Sequence, residues 1–423
     1  MSGFHDHIAG AQAEDRHDPL AGYRHRFQIP LDDDGSKALY LAGNSLGLQP
    51  RRARQYVTEE LDDWARYAVE GHFHSRRPWM PYHELATAAT ARLVGANETE
   101  VVCMNTLTVN LHLLMVSFFR PAGRRTKILI EQPAFPSDRY AVVSQLKFHD
   151  LDPAEHLIEI APRETEHYLR EDDIAATIER HGNEIALIML PGVQYYSGQL
   201  LDMAAITRQG QEHGCVVGFD LAHATGNVPL ALHDWNVDFA AWCTYKYMNA
   251  GPGAIAGAYV NDRYANDTGL PRFAGWWGHD KDSRFGMGPD FAPIPGAEGW
   301  QLSNPPILSL APVLASLEIF DQAGMPALRE KSEKLTAFLA WLIDRRLDEH
   351  IRVITPAHAR GCQLSLQLRQ RDRGKEIQKN LVDKGVICDW REPDVIRVAP
   401  VPLYNRYTDV YHFVEVLQEL LVR

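Results

Sequence analysis

Apolar and polar positions along this chain switch between two periods, and the switching is regular enough to predict an architecture. Short, wholly apolar runs at 128–130, 185–190 and 216–219 have the length and composition of strands buried on both faces. Between them, 140–146, 171–181 and 202–213 carry helical spacing. A strand–helix order of this kind predicts a largely parallel sheet with right-handed crossovers. Upstream, Pro50 opens a helix to about residue 69, with Val57, Leu61, Trp64 and Ala68 near helical spacing. A helix around 82–94 leads to a segment at 101–110 and then an apolar helix over 111–119. After Gly251-Pro252-Gly253, the run 254–260 reads as a strand returning antiparallel.

Residues 261–306 are dense in Gly and Pro and lack periodicity, and a structureless connection of that length is usually functional. Two long helices, 307–321 and 326–349, then lead into a smaller α/β unit. Its strands are expected at 351–354, 363–368, 386–390 and 395–399, with helices near 375–384 and 408–421. No internal repeat or low-complexity tract interrupts the series.

Composition narrows the class. With 423 residues the chain has room for two cores. Forty-three basic against 55 acidic residues give a formal charge of -12 with no basic tract, which argues against a nucleic-acid partner. Cys103, Cys215, Cys243, Cys362 and Cys388 are scattered without zinc-site spacing, as free thiols in a reducing compartment would be. The polar first twenty residues hold no apolar signal core, and no apolar run approaches the ~20 residues of a membrane span. A cytoplasmic protein is the default expectation.

The chemistry lies at two strand ends. Val216–Ala224 closes on Asp220 and His223, and Cys243–Tyr247 carries Tyr245 and Lys246. In an open α/β sheet, ligands sit beyond the carboxyl ends of the strands, so these four groups should share one crevice. A lysine there is costly unless paired or neutralised, and a Schiff base with an aldehyde exploits that. An aspartate facing a pyridinium nitrogen is the other half of a pyridoxal phosphate site. Singly, Asp220 reads as a helix cap and Lys246 as a snorkelling lysine; together they favour the cofactor. Near 106–108, a threonine is either an N-cap or part of a helix N-terminus that receives phosphate. Phe135 offers a flat face at a strand end, with Asp138 as a cap or a second acid. Arg397, inside an apolar strand, is either paired or faces an anionic substrate, and the latter is the expectation. His72 and His74 lie too close for helical metal ligands and no third ligand is evident, so no metal site is expected.

The runs Phe219-Asp220-Leu221-Ala222-His223-Ala224, Tyr245-Lys246-Tyr247 and Phe135-Pro136-Ser137-Asp138 together resemble kynureninase, a fold type I pyridoxal phosphate enzyme. Asn44-Ser45-Leu46-Gly47, Asn105 to Asn110, Gly275-Trp276-Trp277-Gly278-His279 and Ser303-Asn304-Pro305-Pro306 extend the resemblance from about residue 40 to the terminal helix. The Asp/His/Lys pattern is shared with other class V aminotransferase-like enzymes; the tryptophan loop and the Asn-Pro-Pro segment narrow it.

The resemblance implies a large domain with a mainly parallel sheet over 46–306 and a small C-terminal α/β domain over 307–423. Residues 1–45 would form an arm packing with the small domain. It implies pyridoxal 5'-phosphate and hydrolysis of L-kynurenine or L-3-hydroxykynurenine to an anthranilate and L-alanine, in tryptophan catabolism and NAD biosynthesis. A homodimer with shared sites is implied too. Lys246 would hold the cofactor and move protons, and Asp220, helped by Asp138, would keep the ring nitrogen protonated. Phe135 would stack on the ring and His223 support it, while Leu107, Thr108, Ser137 and Tyr245 would hold the phosphate. Tyr245 is also a candidate proton donor. Arg397 would clamp the α-carboxylate, Ser45 would touch substrate, and Trp276 and Asn304 would reach the site from the other subunit.

His72 and Asn304 stand where some bacterial-type relatives carry apolar or smaller residues, so a hydroxylated substrate is expected to be accepted well. Trp277, where Phe is expected, would reshape the aryl pocket. Three rival readings are a cysteine desulfurase using Cys362, a class V aminotransferase, and a non-enzymatic ligand-binding protein. Cys362 leads directly into an alternating strand, which suits packing better.

Overall fold

A computed structural model describes residues 4–31 and 35–422, so residues 1–3 and 32–34 of the expected arm lie outside it. Among the described residues, thirteen strands run in chain order as β1 (Leu39–Tyr40), β2 (Val101–Cys103), β3 (Lys127–Glu131), β4 (Leu157–Ile160), β5 (Ile185–Pro191), β6 (Val216–Asp220), β7 (Phe239–Trp242), β8 (Gly257–Val260), β9 (Ile351–Val353), β10 (Leu364–Leu368), β11 (Val386–Ile387), β12 (Asp389–Arg391) and β13 (Val395–Val398). Seven form the main sheet, in the order β2-β8-β7-β6-β5-β3-β4. Strands β3 to β7 are mutually parallel, and β8 runs antiparallel to both neighbours.

The apolar runs are continuous because both faces of this sheet are covered. Along β5, Ile188 and Leu190 pack into one core while Leu187 and Met189 pack into another on the opposite face. Phe219 and Phe239 divide between the two cores in the same way. Gly218 is required by that packing: a Cβ there would lie 2.2 Å from the Phe239 ring.

The apolar helix expected from residue 111 begins at Leu107 and runs to Phe118. Thr106 holds extended geometry before it, and the Asn110 amide donates to the Met104 carbonyl at 2.9 Å, folding the strand end over the first turn. The polar residues Thr108 and Asn110 therefore lie inside the first turn of the helix, where they interrupt the apolar run that marks the rest of it. Strand β4 went unread because it is a short, half-buried edge strand containing a glutamate.

The smaller unit has a four-stranded sheet, β12-β13-β10-β9, and a separate pair, β1-β11. The single strand expected over 386–390 is thus two: β11 pairs with β1 from the N-terminal arm, and β12 with β13. The arm joins this unit further through helix Ile8–His17, whose Asp15 carboxylate accepts from the Tyr407 amide at 2.7 Å and the Thr408 hydroxyl at 2.6 Å. Helix Ile307–Ala323 packs with the large unit: Leu310, Leu314 and Phe320 share its core. The small unit's own core gathers residues from Leu335 onward, Ala11 and Leu41. In packing, therefore, the change of unit falls one helix later than residue 306.

Candidate active site

Asp220 is the last residue of β6, and its Oδ1 accepts from the Ala222 amide at 2.6 Å, turning the chain across the sheet's carboxyl edge. Lys246 follows β7 in a tight turn. That turn is held by the Thr244 hydroxyl on the Ile255 carbonyl (2.6 Å) and the Asn249 amide on the Lys246 carbonyl (2.9 Å). The Asn44–Gly47 segment docks on it from outside, the Gly47 amide donating to the Tyr245 carbonyl at 2.8 Å. A Cβ at Gly47 would lie 2.2 Å from the Lys246 carbonyl. The close approach that glycine permits is thus to the lysine's own backbone.

These elements enclose a cavity of about 240 Å³ lined by Leu107, Thr108, Phe135, Ser137, Asp138, Asp220, His223, Tyr245 and Lys246. Lys246 Nζ lies 3.1 Å from His223 Nε2 and 5.8 Å from the ring centroids of both Phe135 and Tyr245. Burial, then the Lys246 charge, hold His223 well below its ordinary pKa, so its imidazole is neutral. Its Nδ1 is buried and has no hydrogen-bond partner among the described residues. Burial pushes the Tyr245 phenol up, so it keeps its proton.

The same cavity also holds a group of acids. Asp138 is raised well above the usual carboxylate range by burial and by its hydrogen-bonded neighbour Asp220. Glu131, at the end of β3, lines the same cavity and is pushed up to about 8 by burial, with Asp220 adding to the shift. Sequence reading passed over Glu131, although its place at a strand's carboxyl end was the available signal. Because the folded carboxyl holds its proton to about 8 while the unfolded one releases it near 4.5, the stability tied to it is full below about 4.5 and lost as pH rises through about 8. In melting curves from pH 5 to 9, Glu131→Gln should therefore lose less thermal stability than the parent. Parallel curves would contradict that shift.

The cavity suits a phosphorylated pyridine aldehyde. Two helices, Leu107–Phe118 and Pro136–Phe148, point their N-termini at it, and neither has a side-chain cap. The Thr108 and Ser137 hydroxyls meet between those ends at 2.9 Å, giving an anion both donors and favourable dipoles. The acids of this lining would serve a ring nitrogen, and the Lys246 amine would serve an aldehyde.

Six residues expected at the site lie off this lining. Arg397 is buried and paired with Asp389, and its Nη1 donates to the Tyr195 carbonyl at 2.5 Å. Ser45 also donates to Asp389. His72 is half-buried, with Nδ1 2.9 Å from the Val69 carbonyl and its ring edge-on to Trp79. Trp276 and Asn304 are exposed. Trp277 packs beneath Arg284, whose guanidinium lies 4.2 Å from the ring, so within this chain it fills a core and does not wall an open pocket. Tyr195, Asp389 and Arg391 were not singled out from sequence. Tyr195 stands edge-on to Phe135 at 5.3 Å on a loop fixed by Gln194, whose Oε1 accepts from the Tyr196 and Ser197 amides.

Residues 328–417 match the family described as the kynureninase C-terminal domain. The chain is 58% identical to a kynureninase from Myxococcus xanthus over 98% of this chain and 97% of that one. It is 56% identical to one from Koribacter versatilis over 95% of each, and 52% identical to one from Christiangramia forsetii over 97% of each. Among solved structures, it shares the fold of a cysteine desulfurase from Escherichia coli (TM-score 0.77, 16% identity, 95% of this chain and 99% of that one). It also shares the fold of an alanine–glyoxylate aminotransferase from Nostoc (TM-score 0.68, 15% identity, 94% and 98%).

Proposed function

This chain belongs to the kynureninase family, and from that premise we propose how its side chains divide the work of the family's reaction. It is a fold type I pyridoxal phosphate enzyme that hydrolyses the Cβ–Cγ bond of L-kynurenine or L-3-hydroxykynurenine, releasing L-alanine with anthranilate or 3-hydroxyanthranilate. When bound, pyridoxal phosphate supplies an electron sink for the pair left on carbon as bonds to the substrate's α and β carbons break.

Lys246 holds the cofactor through its amine and, once displaced, moves the proton at the substrate's α carbon. Asp220 keeps the ring nitrogen protonated, and Asp138, itself protonated, donates to Asp220 and fixes its orientation. Phe135 would stack on the ring, and neutral His223 would support it without adding charge beside Lys246. The Leu107 amide, Thr108, Ser137 and Tyr245 take the phosphate. That the Tyr245 phenol keeps its proton at neutral pH also supports it as a candidate proton donor when the aryl acid leaves. Arg397 and Ser45 receive the amino-acid end. The observation that carries this division is the amine–imidazole contact of 3.1 Å at two strand ends, in one cavity with the acids.

The desulfurase reading fails on its nucleophile. Cys362 is buried just ahead of β10, its amide tied to Asn227 and its thiol pushed up to about 12 by burial. That is a packed thiol, not a mobile thiolate.

The exposed Trp276, Phe285, Met287 and Asn304 support a homodimer in which this loop completes the partner's site. Lys246→Ala and Trp276→Ala enzymes, each inactive alone, should regain about a quarter of parental sites on mixing, as random pairing of two protomer types dictates. No recovery after verified subunit exchange would mean that each site is built within one protomer. His72 and Asn304, both able to bond a ring hydroxyl, support good turnover of 3-hydroxykynurenine. The kcat/KM ratio of the hydroxylated to the plain substrate should fall about ten-fold or more in His72→Ala or Asn304→Ala. An unchanged ratio in both would reduce these residues to scaffolding.

A further inference from the structure

Ser45 and Arg397 come from opposite ends of the chain, yet their polar atoms converge on one carboxylate, Asp389. Arg397 Nη2 and Ser45 Oγ both donate to its Oδ2, and Arg391 Nη1 donates to its Oδ1 at 3.0 Å. The register explains the meeting: Asp389 on β12 stands directly opposite Arg397 on β13, so both side chains share one face of the sheet. Ser45 is brought there because the arm is tied to the same unit through β1-β11 and the Ala42–Ala399 bridge.

The Arg397 side chain is 1% exposed, its partner's 12% and Arg391's 35%. Burial works against the Arg397 charge, and Asp389 is the main influence restoring it. A guanidinium so buried would be strongly destabilising without a counter-charge. The other end of its fork bonds the Tyr195 carbonyl, on the cavity wall, and its Nε is buried without a partner among the described residues. Two arginines and one carboxylate leave the group net positive, so it retains attraction for an incoming anion.

We propose that Asp389 is a positioning residue for substrate recognition, holding Arg397, Arg391 and Ser45 as a pre-assembled cradle for the α-carboxylate. This rests on the reading that Arg397 binds that carboxylate. A fork fixed in advance loses little freedom when substrate binds, whereas an unbraced arginine must be ordered by the substrate itself.

The test uses cofactor-loaded enzyme, with rates normalised to bound cofactor by its visible absorbance. KM for L-kynurenine and Ki for L-alanine, which carries the carboxylate without the aryl group, are measured for Asp389→Ala, Asp389→Glu and Arg397→Gln. Asp389→Ala should raise both constants by similar factors, on the order of ten- to a hundred-fold, with kcat per loaded site within about three-fold of the parent. Asp389→Glu should recover most of the loss. If Asp389→Ala does not fold, Asp389→Asn carries the test, because its amide must turn a donor toward a guanidinium or hydroxyl and loosen the cradle. Unchanged or tightened alanine binding, or a loss confined to kcat, overturns the proposal. If Arg397→Gln also leaves alanine binding unchanged, the failure lies with the carboxylate role of Arg397; if it weakens binding, the failure is that of Asp389 alone.

Discussion

Lys246→Ala is expected to lower kcat/KM for L-kynurenine by a factor on the order of 10⁴ or more, since one side chain supplies both the covalent anchor and the α-proton transfer. Folding should survive, because the turn carrying Lys246 is fixed by Thr244 and Asn249 and not by the amine. The phosphate end, built from two helix N-termini with Thr108 and Ser137, is untouched, so the variant should still take up cofactor, with altered visible absorbance. Removing the amine also removes the influence that, after burial, holds His223 low, and its imidazole should become more basic. Single-turnover measurements, with and without added small primary amines, read the effect. Partial rescue by amine would place the loss in proton transfer. Retention of more than a few per cent of parental activity would sink the assignment of Lys246.

Asp220→Asn should cost about 10³-fold in kcat, because a neutral partner no longer holds the proton on the ring nitrogen that makes the ring an effective sink. Its neighbour gives this variant a distinctive pH profile. After burial, Asp220 is the main influence raising Asp138, so without that charge Asp138 should release its proton at lower pH than in the parent. What activity remains should therefore rise toward neutral pH as Asp138 takes over in part. Asp138→Asn alone should cost less than Asp220→Asn, and the double variant more than either. A pH-independent residual rate would mean that Asp138 does not substitute.

The parts of this site visible in the sequence are those fixed by short-range rules. Asp220 and Lys246 stand at the ends of apolar strands, and the strand-end rule alone brings them together; the resemblance added Ser137 and Leu107. What stayed hidden depends on long-range pairing. Nothing near Asp389 announces that it will face Arg397, because that follows from the β12–β13 register. The break at Cys388, where one apparent strand becomes two, goes with the distant arm pairing with β11 while β12 pairs with β13. Glu131 stands out no more than other carboxylates in the sequence, since its burial depends on neighbours in three dimensions. Trp277 reads as an aryl wall until Arg284 is found against its face.

The parallel pairing of β1 with β11 also sets an order in time. On the ribosome, the residues that enclose the cofactor cavity, all between 106 and 246, emerge well before Asp389, Arg391 and Arg397 exist. The arm waits through most of synthesis for the strand it will join. A chain ended between Lys246 and Asp389 would carry the whole cavity lining and, of the grip on the amino acid, Ser45 alone.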